Sequence, residues 1–326
     1  MRLLSSLLLL SWLAAGQSKQ PPQAQQSPQG KQPPAATADE PATFKAETNW
    51  VLLPVSVSDK NGKLITDLQE KSFKVFENGV EQPIKLFRHE DVPISLGIII
   101  DNSGSMREKR QKVEVASVDL VKASNRHDEV FIVNFNDEAY LDVEMTNDIK
   151  KMEEGVARID SRGGTAMREA INMSIDYLKE KGKNHKKVLL VVTDGNDNAS
   201  TVGLERLVNR ARQSEVLIYA IGLLDEEERR EAKAAKRALN ALTQESGGLA
   251  FYPKGVTEVD AIALQVAHEI RNQYTIAYSP LNDARDGSFR QIKVTVNGPG
   301  HPQVRTRTGY YATADRDSKK AGSSTP

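Results

Sequence analysis

"IIIDNSGSM", residues 98–106, sets Asp101, Ser103 and Ser105 at alternate positions directly after an apolar run. A short aliphatic run broken by Asp, Gly and Ser reads as a buried strand that delivers its carboxyl end into a loop. "VLLVVTDGNDN", residues 188–198, repeats the device and ends on Asp194. Two buried strands that both finish on a carboxylate indicate a sheet with a crevice at its carboxyl edge.

Outward from these two, strand-like runs alternate with helical spacings from Ile94 to about Arg271. Strands are read at "SLGIII", "EVFIVNF", "AYLDVEM", "KVLLVVT", "EVLIYAI" and "GLAFY". Helical spacing links Val113, Ala116, Leu120 and Ala123, then Ile171, Ile175 and Leu178, then Val259, Ile262, Ala263, Val266, Ala267 and Ile270. The charged run "DEEERREAKAAKR" reads as a solvated helix face with Ala232, Ala235, Leu239 and Leu242 turned inward. Capping-box spacing of Asp225 with Glu228 and of Thr257 with Asp260 marks two helix starts. Only "NDE" separates the second strand from the third, so that pair is antiparallel; the others need helical crossovers. The expected fold is α/β: a doubly wound, mostly parallel six-stranded sheet. If its order is 3-2-1-4-5-6, the first and fourth strands are neighbours, and Asp101 and Asp194 face one crevice.

On either side the period becomes two. Val51, Leu53, Val55 and Val57 share a face, "DKNG" is a turn, and Asn78-Gly79 marks a hairpin before Ile84 and Leu86. Tyr274, Ile276 and Tyr278, then Ile292, Val294 and Val296, then Val304, Thr306 and Thr308 alternate likewise. Neither flank has enough strands to bury a face alone, whereas together they offer about seven, a sandwich. The α/β domain, 92–272, is therefore expected to be inserted into a small split β-sandwich made of 47–91 and 273–312.

The ends read differently. "MRLLSSLLLLSWLAAGQ" combines one Arg, an apolar core and small residues, so 1–16 reads as a signal peptide. Residues 17–46 are Pro- and Gln-rich, a disordered linker, and 313–326 form a disordered tail. Cysteine is absent, which excludes disulfides. Lys+Arg and Asp+Glu balance at 44 each, so no overall field favours nucleic acid, and no membrane span is read beyond the leader. The expected location is exported, either periplasmic or secreted.

A third element joins the two carboxylates: "SRGGTA", residues 161–166, where Gly163-Gly164 permit close backbone approach and Thr165 sits at the mouth of a helix. In an extended turn, side chains at i, i+2 and i+4 lie on one side, so Asp101, Ser103 and Ser105 can converge. Two carboxylates and three hydroxyls form an all-oxygen set suited to Mg²⁺, Mn²⁺ or Ca²⁺, not to zinc or copper. Either strand end alone would equally serve as a plain turn. Ser103 or Ser105 as a nucleophile would need a base, and His89, His127, His185, His268 and His301 are scattered. A calcium loop through Asp194, Asn196, Asn198, Ser200 and Glu205 has Ala199 where such loops need Gly.

The D-x-S-x-S of Asp101, Ser103 and Ser105, with Thr165 and the strand-ending Asp194, resembles the metal-ion-dependent adhesion site of von Willebrand factor type A domains. The layout, including "VSVSDKNGKLITDLQEKSFKVFENGVEQPI", "YTIAYSP" and "GYYA", is similar to the bacterial exported proteins called VWFA-related. The resemblance implies a divalent cation, Mg²⁺ first with Mn²⁺ or Ca²⁺ as alternatives. Asp101, Ser103, Ser105 and Thr165 would be near ligands, Asp194 would act through water, and a partner's Glu or Asp would complete the ion. The expected function is a non-enzymatic exported adhesion protein that captures an acidic side chain of a protein partner. The alternatives are a structural or assembly protein of the cell envelope with a permanently filled site, and a metal-dependent hydrolase.

Overall fold

The alternation of "VLLPVSVS" carries straight into structure: Val51, Leu53, Val55 and Val57 all turn inward on β1 (Val51–Ser58). The computed structural model describes residues 50–313 apart from 90, 124, 157–160, 225–228 and 299, so the segments read above as signal peptide and linker, and nearly all of the expected tail, lie outside it. A turn at Asp59–Gly62 follows, closed by the Gly62 N–H donating to the Asp59 carbonyl at 3.0 Å. Then β2 (Phe73–Glu77) and β3 (Val80–Gln82) form the hairpin expected at Asn78-Gly79. Both loop residues have positive φ, 48° and 83°, which is why this pair closes a two-residue turn. β4 (Ile84–Arg88) completes the first flank.

The central part runs through β5 (Ile94–Asp101), α1 (Arg110–Lys122), β6 (Glu129–Phe135), β7 (Ala139–Thr146), α2 (Ile149–Val156), α3 (Met167–Lys181) and β8 (Lys186–Thr193). It continues with α4 (Leu204–Ser214), β9 (Leu217–Gly222), α5 (Arg229–Ser246), β10 (Ala250–Phe251) and α6 (Val259–Arg271). These strands form one six-stranded sheet of order β10-β9-β8-β5-β6-β7. All neighbours are parallel except β6 and β7, as the short "NDE" connection requires. Every residue of β5 is buried, because helices cover both faces. Ile98 and Ile100 pack with Leu120, Val266 and Ile270 of α1 and α6 on one face. Ile99 and Leu189 pack with Ile171, Ile175, Leu207 and Leu242 of α3, α4 and α5 on the other. One residue's step along the strand changes the face, the period-two geometry that the sequence displays.

Three details differ from the sequence expectation. The run "EVLIYAI" pairs only from Leu217, since Glu215 takes a left-handed φ of 59° at the end of α4. "GLAFY" contributes just Ala250 and Phe251 to the sheet; a side chain at Gly248 would lie 2.0 Å from the Ile218 carbonyl, so its backbone presses on β9. Thr257 does not cap α6: it lies in a 3-10 turn, Val256–Glu258, and the cap position falls to Glu258 without a side-chain bond. The Asp225–Glu228 pair lies outside the described residues.

The chain then returns through β11 (Tyr274–Tyr278), β12 (Phe289–Val296), β13 (Gln303–Arg305) and β14 (Gly309–Tyr311). Two four-stranded antiparallel sheets result, β13-β1-β11-β4 and β14-β12-β2-β3, each mixing strands from both flanks. Their shared core joins Leu53, Val55, Phe73 and Val75 with Tyr274, Ile276, Tyr278, Ile292 and Val294. The alternation Val304, Thr306, Thr308 is not one strand: β13 pairs with β1 in one sheet and β14 with β12 in the other. The chain changes sheets at the corner between them, where the Thr306 hydroxyl donates to the Pro54 carbonyl at 2.8 Å.

Where the chain enters and leaves the α/β part, the two crossings are tied together. Arg271 pairs with Asp91 at 2.6 Å and with Asp128 at 2.6 Å. Deeper in, Glu269 of α6 accepts from Tyr219 at 2.8 Å, from Ser56 of β1 at 3.3 Å, and from Arg305 of β13. Gln273 donates to Ser56 at 3.0 Å and to Tyr219 at 3.1 Å. Burial first, and then the Glu269 charge, hold the Tyr219 phenol well above its ordinary pKa.

Candidate metal centre

The first and fourth strands of the α/β sheet, β5 and β8, are parallel neighbours, and the strand order reverses between them. Helical connections leave in opposite directions at that point, which opens a crevice at the carboxyl ends. Asp101 ends β5 and Asp194 follows the last residue of β8, so both carboxylates arrive there, buried.

The "DNSGSM" loop turns back on itself. The Ser103 N–H donates to Asp101 Oδ1 at 2.8 Å, and Gly104 opens a 3-10 turn, Gly104–Glu108, that carries Ser105 round. Ser103 Oγ and Ser105 Oγ stand 3.1 Å apart, and the Ser105 hydroxyl donates to Asp194 Oδ1 at 2.8 Å. Asp101, Ser103, Ser105 and Asp194 thus form one connected cluster. The "SRGGTA" loop is stitched beside it: the Gly104 N–H donates to the Gly163 carbonyl at 3.2 Å, and the Arg162 N–H to the Asn102 carbonyl at 3.0 Å. Gly163 has φ +76°, a left-handed conformation that favours glycine, and a Cβ there would lie 2.2 Å from Asp137 Oδ2 and push that side chain aside. Thr165 is buried in this loop; its N–H donates to Asn198 Oδ1 at 2.9 Å and its carbonyl accepts from the Asn198 N–H at 3.1 Å.

Several residues that the motif reading did not name complete the cluster. Thr193 donates its hydroxyl to Asp101 Oδ2 at 2.5 Å. Lys109, which precedes α1, places its ammonium 2.9 Å from Asp194 Oδ2 with the side chain 13% exposed. Asn102 takes bonds from Arg110 and, at 3.1 Å, from the Ser161 hydroxyl, which ties the "DNSGSM" loop to the "SRGGTA" loop and to α1. Asp197 binds the Arg168 N–H at 2.7 Å near the start of α3, and Asn198 serves Thr165. These bonds, with Asn196 donating to Glu231 at 2.8 Å, spread the "DGNDNAS" side chains over different tasks and do not converge them as a calcium loop would.

Electrostatically the cluster is short of positive charge. Burial, the largest cause, pushes the Asp101 carboxyl up to about 6, against the lowering effect of its bonds from Ser103 and Thr193; the Asp194 charge adds to the rise. Lys109 balances Asp194. Among the described residues no three His, Cys, Asp or Glu side chains converge, so a cation here would rest on hydroxyls as much as on carboxylates. Two buried carboxylates edged by Ser and Thr hydroxyls fit a hard divalent cation.

A family model for the von Willebrand factor type A domain matches residues 96–265, just over half of the 326-residue chain. No curated protein matches significantly. Among solved structures, a von Willebrand factor type A protein from Catenulispora acidiphila superposes with a TM-score of 0.51 at 13% identity, over 85% of this chain and 76% of that one. An aerotolerance-related membrane protein from Bacteroides fragilis gives 0.46 at 17% identity, over 54% of this chain and 98% of that one. Proximal thread matrix protein 1 of the mussel byssus, in a form described as having a zinc-occupied metal-ion-dependent adhesion motif, gives 0.47 at 15% identity over 60% and 50%. At 13% identity the Catenulispora superposition speaks for the fold alone, and the family match covers the strands and loops that build the cluster. The chain belongs to the von Willebrand factor type A domain family.

Proposed function

We propose that Asp101, Ser103, Ser105, Thr165 and Asp194 hold a divalent cation, and that the loaded site captures an Asp or Glu side chain of a protein partner. The observation that carries this reading is the Asp101–Ser103–Ser105–Asp194 cluster at the strand-order reversal, with both carboxylates and Ser103 buried, Ser105 exposed at its mouth, and Thr165 in the loop bonded to it. Asp101, Ser103, Ser105 and Thr165 would hold the ion directly, with Asp194 acting through water. Hydroxyls are neutral ligands, so the ion keeps an appetite for an external anion. The role is binding, not catalysis: the hydroxyl and carboxylate oxygens of the cluster suit a hard cation. Mg²⁺ is the first choice, with Mn²⁺ or Ca²⁺ as alternatives.

The test uses full-length protein over peptide arrays in which Glu or Asp is exchanged for Gln or Asn. Binding should require both millimolar Mg²⁺ and the acidic residue, and should vanish on chelation. If metal binds but no acidic peptide is favoured, partner capture is wrong and the ion serves only the fold.

Residues 1–16 are proposed as an export signal and 17–46 as a Pro- and Gln-rich linker that precedes the folded part, 47–312. The folded part divides as a von Willebrand factor A domain over 92–272 within sandwich halves 47–91 and 273–312. Among the described residues no helix is long and apolar enough to cross a membrane. Mass spectrometry of exported chain should find its N-terminus near residue 17; an intact Met1 on exported protein would exclude cleavage.

A further inference from the structure

The Lys109 ammonium stands inside the cluster that the proposed function assigns to a cation. It is 2.9 Å from Asp194 Oδ2, while Asp194 Oδ1 accepts from Ser105. The Asp194 carboxylate is 1% exposed, so this pair is screened little by solvent. We propose that Lys109 is a tethered counter-ion that competes with the divalent cation for this site and so sets the cation concentration at which the site loads. The inference rests on the metal reading above.

The argument is one of charge. Asp101 and Asp194 bring two negative charges and Lys109 one positive, so the site is singly negative before any ion arrives. A divalent ion must either displace the ammonium from Asp194 or enter beside it, and both oppose loading. The loaded site carries one net positive charge, whereas without Lys109 it would be neutral. Lys109 therefore weakens the ion's hold while leaving the loaded site in need of an external anion, which suits partner capture better than permanent occupancy. The position also allows movement: Lys109 lies at the junction of the 3-10 turn Gly104–Glu108 and α1, on a long flexible side chain at the edge of the cluster.

The experiment is calorimetric titration of Mn²⁺ into full-length wild type, Lys109→Gln and Lys109→Arg. Gln keeps a neutral donor for Asp194 and removes the charge; Arg keeps the charge. Lys109→Gln should bind Mn²⁺ about tenfold tighter or more, since one nearby charge changes a carboxylate's hold on a proton by about 1–3 decades and acts on a divalent ion in the same direction, while Lys109→Arg should gain nothing. Thermal melting adds a sign that a merely structural lysine would not produce. Lys109→Gln should melt below wild type in chelator and recover the difference when saturated with Mn²⁺. Equal Mn²⁺ affinity in wild type and Lys109→Gln overturns the role of Lys109 and leaves the metal reading standing. Absence of Mn²⁺ binding in all three proteins overturns both.

Discussion

Arg305→Met should lower the melting temperature by roughly 10 °C, from a loss of about 3–5 kcal/mol for breaking a buried ion pair. The cause lies on Glu269, whose carboxylate is buried between α6 and the two sandwich strands β1 and β13. With Arg305 gone, the hydrogen bonds left to Glu269 among the described residues come from the neutral donors Ser56 and Tyr219, and a buried charge that has lost its bonded partner is what makes single removal costly. The partial exposure of Arg305, 25%, pulls the expectation toward the lower end. Adding Glu269→Gln to Arg305→Met should recover a large part of the loss, because the charge and its partner then leave together. A single substitution costing under about 1 kcal/mol would show that the pair is solvated and that the α/β part and the sandwich are not coupled through it.

Asp101→Asn should have the opposite sign in chelated protein, stabilising it by roughly 3 kcal/mol at pH 7, or about 5–10 °C. Burial raises the Asp101 carboxyl from 3.8 to about 6, so the folded chain holds this proton more tightly than the unfolded chain. The stabilisation from that proton is fully present below 3.8 and is lost as pH rises through about 6. Asn is neutral throughout, and its amide can still meet the Ser103 N–H and the Thr193 hydroxyl. The variant and wild type should therefore melt together near pH 3.5 and separate progressively toward pH 7. With metal the gap should close and then invert: wild type gains about 2.7 kcal/mol at a hundred times the dissociation constant and about 4.1 kcal/mol at a thousand times, and Asp101→Asn gains none. A variant that is less stable than wild type at pH 7 in chelator would mean that Asp101 serves the fold and is not held in a strained charge state for a ligand.

How far the sequence led follows from which signals are local. β5 and β8 were legible because an aliphatic run ending in Asp has one simple reading, and the antiparallel β6–β7 pair followed from a connection too short to cross over. The hairpin at Asn78-Gly79 was legible because that dipeptide accepts positive φ at both positions. The eight-residue α2 was not singled out, since two turns give too little periodicity to stand out. The exchange of sheets between β13 and β14 was hidden for a different reason: alternation tells which side chains share a face, not which strand is the neighbour. In the cluster, Asp101, Ser103, Ser105 and Asp194 declared themselves by spacing and were found in contact. Lys109 did not, because in "REKRQK" it is one basic residue among several and only tertiary structure turns it toward Asp194. Thr193 stands beside Asp194 in "VVTDG", but its partner, Asp101, is 92 residues away in the chain, so no local signal joins them.

The most direct measurement is the stoichiometry of Mn²⁺ on purified full-length protein by electron paramagnetic resonance, wild type beside Asp101→Asn. The account predicts one Mn²⁺ per wild-type chain, displaceable by Mg²⁺, and none on the variant. Unchanged binding by Asp101→Asn, or no binding by wild type at millimolar Mn²⁺, would contradict it.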